Sequence, residues 1–295
     1  MHEFEFIEPD SVEQASQLLR DFGEESRVIA GGTALLLGMR QRMLSPSHLI
    51  SLGKLDELRQ IEFEEGQGLV IGALARHADI ARSPVIQKHF PMLSGMASRV
   101  ANPQVRNAGT LGGNLCYGDP ATDPPGCLIA LGAQLVLMGP DGERVLPLEE
   151  FLNDYFETAL VPDEIVTHIM VPALPDDAIG SYTRFLRTPA EHRPLVNVAL
   201  VARTDGQGLC QQIRMALGAS TPTAVRLTTA ENFLAGKVMT QAVAAEAAKI
   251  AVEPLQIISD SRGSAEYRAE MARVVIRRAL CELFGLASPE DPVVK

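Results

Sequence analysis

The sequence predicts an α+β chain in two parts, and three observations predict it. Short apolar runs of about four to eight residues, bounded by glycine, proline or acidic turns, read as strands. Longer stretches with apolar residues at helical spacing read as amphipathic helices. Between residues 172 and 179 the composition shifts, and Pro175, Asp176 and Asp177 form a polar linker. The expected division is an N-terminal domain over 1–175, with subdomains about 1–55 and 56–175, followed by a smaller C-terminal domain over 178–287 that combines an antiparallel sheet with helices.

The elements follow in order. A first helix opens at Pro9, where Asp10 with Glu13, or Ser11 with Gln14, fits a capping box. Val12, Ala15, Leu18, Leu19 and Phe22 share one face, and Gly23 stops the helix. Residues 27–30 read as a short buried strand that breaks at Gly31 and Gly32 and runs into a helix start at 33–37. Residues 48–52 form another strand, and 58–72 a hairpin turning at Glu65-Gly66-Gln67-Gly68. Helical stretches near 77–81 and 84–100 precede a Gly- and Asn-rich loop from Asn102 to Asp123. Next come a helix near 127–131, a hairpin turning at Gly139-Pro140-Asp141-Gly142, and a strand over 165–171. In the C-terminal part, strands near 181–186, 196–202 and 213–217 lead into helices over 224–234, 240–252 and 265–284. The last helix carries an apolar stripe of Ala272, Val275, Ile276, Ala279, Leu280 and Leu283.

Charge narrows the function classes. The 295 residues include 26 Lys and Arg against 37 Asp and Glu, a net charge of −11. Phosphate backbones and anionic lipid surfaces repel such a chain, which argues against nucleic acid as a partner. No apolar run approaches the roughly 20 residues of a membrane span, and the acidic N-terminus lacks the layout of a secretion signal. A cytoplasmic protein is expected. Cys116, Cys127, Cys210 and Cys281 show neither a C-x-x-C spacing nor a nearby His, so they read as core residues and no metal site is expected. No Ser-His-Asp or Cys-His arrangement stands out either, so no catalytic residue is assigned.

Two glycine loops carry the chemistry. The first is Ala30-Gly31-Gly32-Thr33-Ala34, and the second is Asn107-Ala108-Gly109-Thr110-Leu111-Gly112-Gly113-Asn114. Glycine lets a ligand approach the backbone closely, and successive amides in such turns form anion cradles. The first loop also sits at a helix start, whose dipole favours negative charge. Taken alone, a Gly-Gly pair after a strand is more often a plain tight turn. Neither fits the Rossmann or P-loop spacing. Asp123, nine residues past Asn114, suits either a hydrogen bond from a sugar or polyol hydroxyl, or a helix cap before Pro124.

The string Gln104-Val105-Arg106-Asn107-x-Gly109-Thr110-Leu111-Gly112-Gly113-Asn114, ending in Asp119-Pro120-Ala121-Thr122-Asp123, resembles the FAD signature of the medium subunits of molybdenum hydroxylases of the carbon monoxide dehydrogenase and bacterial xanthine dehydrogenase type. Ala30-Gly31-Gly32-Thr33 resembles that family's first flavin loop. Ser261-Arg262-Gly263-Ser264-Ala265-Glu266-Tyr267-Arg268 resembles its C-terminal signature, and Pro9-Asp10-Ser11-Val12-Glu13-Gln14-Ala15 its opening helix.

The resemblance implies a two-part FAD-binding domain of the PCMH/VAO type and a C-terminal domain of the carbon monoxide dehydrogenase flavoprotein type. It implies that Ala30, Gly31, Gly32, Thr33, Ala34 and Leu35 bind the FAD diphosphate. Thr110, Leu111, Gly112, Gly113 and Asn114 take the phosphate and ribityl groups, and Asp123 takes the ribityl chain or nearby hydroxyls. Ile165 and Val166 give apolar contact to the ring, and Arg184 stands where the family usually places a Lys beside the isoalloxazine. The implied partners are a molybdopterin-binding large subunit and a small subunit with [2Fe–2S] clusters, in a heterotrimer or a dimer of heterotrimers. Electrons would pass from the clusters through FAD to NAD⁺, a quinone or another acceptor. One departure concerns Thr188-Pro189-Ala190-Glu191-His192-Arg193-Pro194, where relatives have a short Gly-Asp stretch near the ring; His192 reads as a flavin contact or a solvated loop residue. The alternative is a self-contained flavin reductase related to cell-wall sugar-nucleotide reductases, which would need its own proton donor among residues 181–284.

Overall fold

The structure is a computed structural model that describes residues 3–287. It divides into two compact units. The first takes the chain up to Asp119 together with Gly132–Ala173, and the second takes Pro120–Leu131 together with the chain from Leu174 onward.

The first unit opens with β1 (Glu5–Ile7), α1 (Val12–Phe22), β2 (Ser26–Ile29), α2 (Leu35–Arg40) and β3 (His48–Ser51). The strands form a parallel sheet in the order β1-β3-β2, with α1 and α2 as the crossovers that parallel pairing requires. Of the two N-caps the sequence allows, Ser11 is used: its Oγ accepts from the Gln14 amide at 3.1 Å, and Gln14 Oε1 reaches one residue beyond the cap to accept from the Asp10 amide at 2.6 Å. Val12, Ala15 and Leu19 pack into a core with Ile50, Leu52, Leu55 and Leu58.

β4 (Ile61–Glu64) and β5 (Gly68–Gly72) form the expected hairpin. The stretch 84–100, expected as one helical region, is two helices after α3 (His77–Arg82): α4 (Pro84–His89) and α5 (Pro91–Ala97). Phe90 leaves the helical region at φ −137 and ψ 58, and Pro91, lacking an amide proton, can only start a new helix. The expected loop from Asn102 to Asp123 instead contains α6 (Pro103–Ala108) and α7 (Leu111–Tyr117). Polar caps outweigh the poor helix propensity of glycine here. Asn102 Oδ1 accepts from the Val105 amide at 2.9 Å, and Thr110 Oγ1 accepts from the Gly113 amide at 3.2 Å.

The chain leaves the first unit for α8 (Pro124–Leu131) and returns with β6 (Gln134–Gly139), β7 (Gly142–Pro147), α9 (Leu148–Phe151), β8 (Leu152–Asp154), β9 (Glu157–Thr158) and β10 (Ile165–Pro172). A five-stranded antiparallel sheet in the order β4-β5-β10-β6-β7 results. The β8–β9 hairpin is too short to leave a sequence pattern.

The second unit is a four-stranded antiparallel sheet, β11 (Ala178–Phe185), β12 (Val196–Thr204), β13 (Cys210–Gly218) and β14 (Val225–Arg226), in that order. The helix expected over 224–234 is shorter, because Val225 and Arg226 pair with β13 first. α10 (Thr228–Leu234), α11 (Gln241–Val252) and α12 (Ala265–Leu283) cover one face, over a core that includes Val196, Val198, Leu200, Met215 and Leu217. α8 covers the opposite face: Asn197 and Arg214, which alternate with those core residues, donate to Thr122 O at 3.1 Å and Ile129 O at 3.1 Å. With both faces covered, β12 is buried from Val196 to Ala202, which explains its apolar run from Val198 to Ala202. Residues 120–131, expected within the N-terminal domain, therefore pack with the second unit. α8 is buried along its whole length, as a helix apolar on all sides must be.

Candidate functional site

Two clusters, one in each unit, collect most of the residues that the sequence singles out.

In the first unit the two glycine loops lie against each other. A Cβ on Gly31 would strike the carbonyl oxygen of Ala108, so only glycine allows this backbone-on-backbone approach. Gly32 adopts φ +68, the left-handed conformation that turns successive amides the same way. A Cβ on Gly109 would lie 3.3 Å from Thr33 Oγ1, and one on Gly113 3.9 Å from the Ala30 side chain.

The amides of the two loops are used differently. In the second loop, Leu111 N–H donates to Ala75 O at 2.9 Å and Gly112 N–H to Ala73 O at 2.9 Å, while Gly113 N–H is taken by Thr110 Oγ1 at 3.2 Å and Asn114 N–H by Thr110 O at 3.0 Å. Leu111, Gly112 and Thr110 are buried, Asn114 is half-buried and Gly113 is exposed. In the first loop, the amides of Gly31, Gly32, Thr33, Ala34 and Leu35 have no acceptor among the described residues, although Leu36 N–H bonds to Gly32 O at 3.0 Å. Thr33 is exposed, and its neighbours Ala30 to Leu35 are half-buried rather than enclosed. Five consecutive amides without an acceptor among the described residues, one of them on a left-handed glycine, form a donor set that fits the diphosphate of a dinucleotide.

His77, at the start of α3, escaped the sequence reading as a site residue. Its amide donates to Gly109 O at 3.2 Å, and its ring is buried, with Cδ2 3.5 Å from where a Gly109 Cβ would stand. Burial, and then the Arg106 cation, push its imidazole down to about 4, so the ring is neutral at pH 7. Ile165 faces inward, in the cluster that holds α1, and Val166, also buried, precedes a register break in the β10–β6 pairing.

The second cluster centres on Asp123, just before α8. Its carboxylate is 2 % exposed, and both oxygens are engaged: Tyr182 OH donates to Oδ1 at 2.5 Å and Arg184 Nη1 to Oδ2 at 3.4 Å. Burial, then the Asp123 charge and hydrogen bond, push the Tyr182 phenol well above its ordinary range, so it stays a donor. Tyr182 and Arg184 are two apart on β11 and share a face. The backbone just before Asp123 is gripped too, by Ala219 N–H on Pro120 O at 3.0 Å and by Asn197 on Thr122 O. The structure thus joins Asp123 and Arg184, which the sequence reading named separately, through Tyr182, which it missed.

The C-terminal signature has a visible task. Arg268, fully buried, donates to Leu195 O at 2.9 Å and Ala219 O at 2.7 Å and pairs with Asp260 at 2.6 Å. Arg262 reaches Arg193 O at 3.4 Å and Pro194 O at 3.3 Å. Burial works to raise the Asp260 carboxyl, but the bonds from Arg268 and Arg262 prevail and hold it well below the usual carboxylate range. Together they clamp the base of the unusual 188–194 loop, whose His192 is exposed.

The chain matches known families along most of its length. Residues 2–174 match the family described as the FAD binding domain in molybdopterin dehydrogenase, and residues 181–283 match the CO dehydrogenase flavoprotein C-terminal domain. The chain is 35 % identical over 97 % of its length to the 6-hydroxypseudooxynicotine dehydrogenase complex subunit alpha of Paenarthrobacter nicotinovorans, covering 96 % of that protein. It is 36 % identical to the carbon monoxide dehydrogenase medium chain of Hydrogenophaga pseudoflava, over 94 % of this chain and 96 % of that one. A solved carbon monoxide dehydrogenase from Hydrogenophaga pseudoflava, lacking the Mo-pyranopterin moiety of its molybdenum cofactor, superposes with a TM-score of 0.92 at 36 % identity, covering 96 % of this chain and 98 % of that one.

Proposed function

The chain belongs to the family of FAD-binding subunits of molybdopterin dehydrogenases, and on that premise we propose that it is the electron relay of a multi-subunit molybdenum hydroxylase. The observation that carries this reading is the row of open amides from Gly31 to Leu35, in a chain related to such subunits over nearly its whole length. FAD, when bound, supplies exchange between one-electron and two-electron partners.

The chain's own groups bind and orient. The amides of Gly31, Gly32, Thr33, Ala34 and Leu35 would hold the diphosphate, with Ala30 beside them. Thr110, Leu111, Gly112, Gly113 and Asn114 would shape the phosphate and ribityl wall by side chain and surface, since their amides are bonded internally. Asp123, expected to accept from a ribityl hydroxyl, is buried and engaged at both oxygens and would act through Arg184, which would hold a cation beside the N1–C2 edge of the ring and favour electron uptake. Ile165 and Val166, buried in the central strand β10, would supply the apolar contact to the ring.

Substrate oxidation would take place on a molybdopterin-binding large subunit. A small subunit with [2Fe–2S] clusters would deliver the electrons, and NAD⁺, a quinone or another acceptor would remove them. The assembly would be a cytoplasmic heterotrimer or its dimer. Among the described residues, no helix is long and apolar enough to cross a membrane.

Acid precipitation of the purified complex tests the cofactor: free FAD in the supernatant is expected, and yellow pellet or released FMN contradicts it. Turnover tests the relay. The chain alone, free of molybdenum and iron by metal analysis, should oxidise no purine, aldehyde or carbon monoxide, and activity should return when the two partner chains are added. Turnover by the chain alone overturns the relay.

A further inference from the structure

We propose that Tyr182 is the positioning residue of the Asp123–Arg184 pair, setting how much of the Asp123 charge falls on the Arg184 guanidinium. The inference rests on the reading above that Arg184 faces the flavin, and it adds a residue that neither motif nor resemblance names.

The geometry carries it. Asp123 is 2 % exposed, so its carboxylate lacks bulk water to share its charge. Its two oxygens have separate donors: the Tyr182 hydroxyl on Oδ1 at 2.5 Å and Arg184 Nη1 on Oδ2 at 3.4 Å. The phenol approaches the carboxylate more closely than the guanidinium does. The phenol fixes the orientation of the carboxylate, and with it how Asp123 is presented to the guanidinium. Register fixes the arrangement, since Tyr182 lies opposite Ala199 and Arg184 opposite Asn197 on the same β11–β12 ladder. Asn197, fully buried, also donates to Thr122 O at 3.1 Å, which holds the backbone that carries Asp123. Removing the hydroxyl leaves a buried oxygen without this donor. Asp123 then turns toward Arg184, neutralises more of its charge and draws it inward.

The test uses the complex with its partner chains and reads the FAD midpoint potential by spectroelectrochemical titration. Tyr182→Phe should lower the potential, because the cation that favours electron uptake is better neutralised. A tenfold fall in the ratio of reduced to oxidised flavin affinity appears as about 30 mV for a two-electron couple, and a shift of that size is expected. Arg184→Gln should lower it further, and adding Tyr182→Phe to Arg184→Gln should change nothing more. If Arg184→Gln shifts the potential and Tyr182→Phe does not, the proposal fails while the placement of Arg184 survives. A lower melting temperature with an unchanged potential is that same failure, because it marks Tyr182 as merely structural. If Arg184→Gln leaves the potential where it was, the placement of Arg184 at the flavin fails and the proposal falls with it. Should Tyr182→Phe not assemble, Asp123→Asn decides: it removes the shared charge, keeps both neighbours and should raise the potential, and an unchanged or lower value overturns the proposal.

Discussion

The two glycine loops of the first unit look alike as sequence and differ as chemistry. Ala30-Gly31-Gly32-Thr33-Ala34 leaves its amides unpaired among the described residues, whereas Thr110-Leu111-Gly112-Gly113-Asn114 uses all four amides from Leu111 to Asn114 on Ala75, Ala73 and Thr110. Gly31 is needed so that one loop can press on the other, and Gly112 so that α7 can press on Ala73. Only an account of where each amide goes separates a cradle from a packing joint. Glycine content alone cannot.

That contrast can be broken at its strongest point first. Gly31→Val drives a side chain into the Ala108 carbonyl at the crossing of the loops. The complex should lose its FAD and about 3 kcal/mol of stability, read from flavin content and urea unfolding. Retained stoichiometric FAD would mean that the first loop is not the cradle.

The next largest effect is a pH dependence beneath the second loop. Burial lowers the His77 pKa from 6.5 to about 4 in the folded chain. Protons therefore bind the unfolded state first, so this contribution to stability is complete above about pH 6.5 and is lost as pH falls toward 4. Across that window it amounts to about 3 kcal/mol. His77→Gln should flatten the stability profile between pH 7 and 4 by a comparable amount, and an equally steep profile in the variant assigns the loss to other groups.

Gly112→Ala sharpens the comparison from the packing side. Its new methyl would sit 2.6 Å from the Ala73 Cβ, which should cost about 2 kcal/mol by overpacking. FAD content should stay full, because no open amide is touched. Smallest is Thr110→Ala, which removes the α7 cap for about 1 kcal/mol. Its melting temperature should drop a few degrees, with FAD affinity changed far less than in the Gly31 variant.

Local signals made much of this legible in the sequence. A capping box at Asp10 or Ser11 announced α1, the glycine pair after a strand announced the first loop, and the run from Val196 to Ala202 announced a strand. α6 and α7 stayed hidden because glycine and asparagine argue against helix, while the caps at Asn102 and Thr110 that decide the matter act through backbone geometry. Asp123 and Arg184 were named through the family resemblance, but their junction was not, since Tyr182 lies 59 residues from Asp123 and the contact exists only once α8 packs on the sheet. Arg268 was visible as part of a signature, yet its work on Leu195 and Ala219 required the fold.

Amide hydrogen exchange, comparing the FAD-loaded complex with the same complex after flavin removal, distinguishes a cradle from a packing joint. Peptides spanning residues 30–36 should gain strong protection when FAD is bound, because five open amides acquire acceptors. Peptides spanning 110–114 should change little, because their amides are bonded either way. Protection confined to 110–114, with 30–36 exchanging equally fast in both states, would make the second loop the cradle and the first a mere turn.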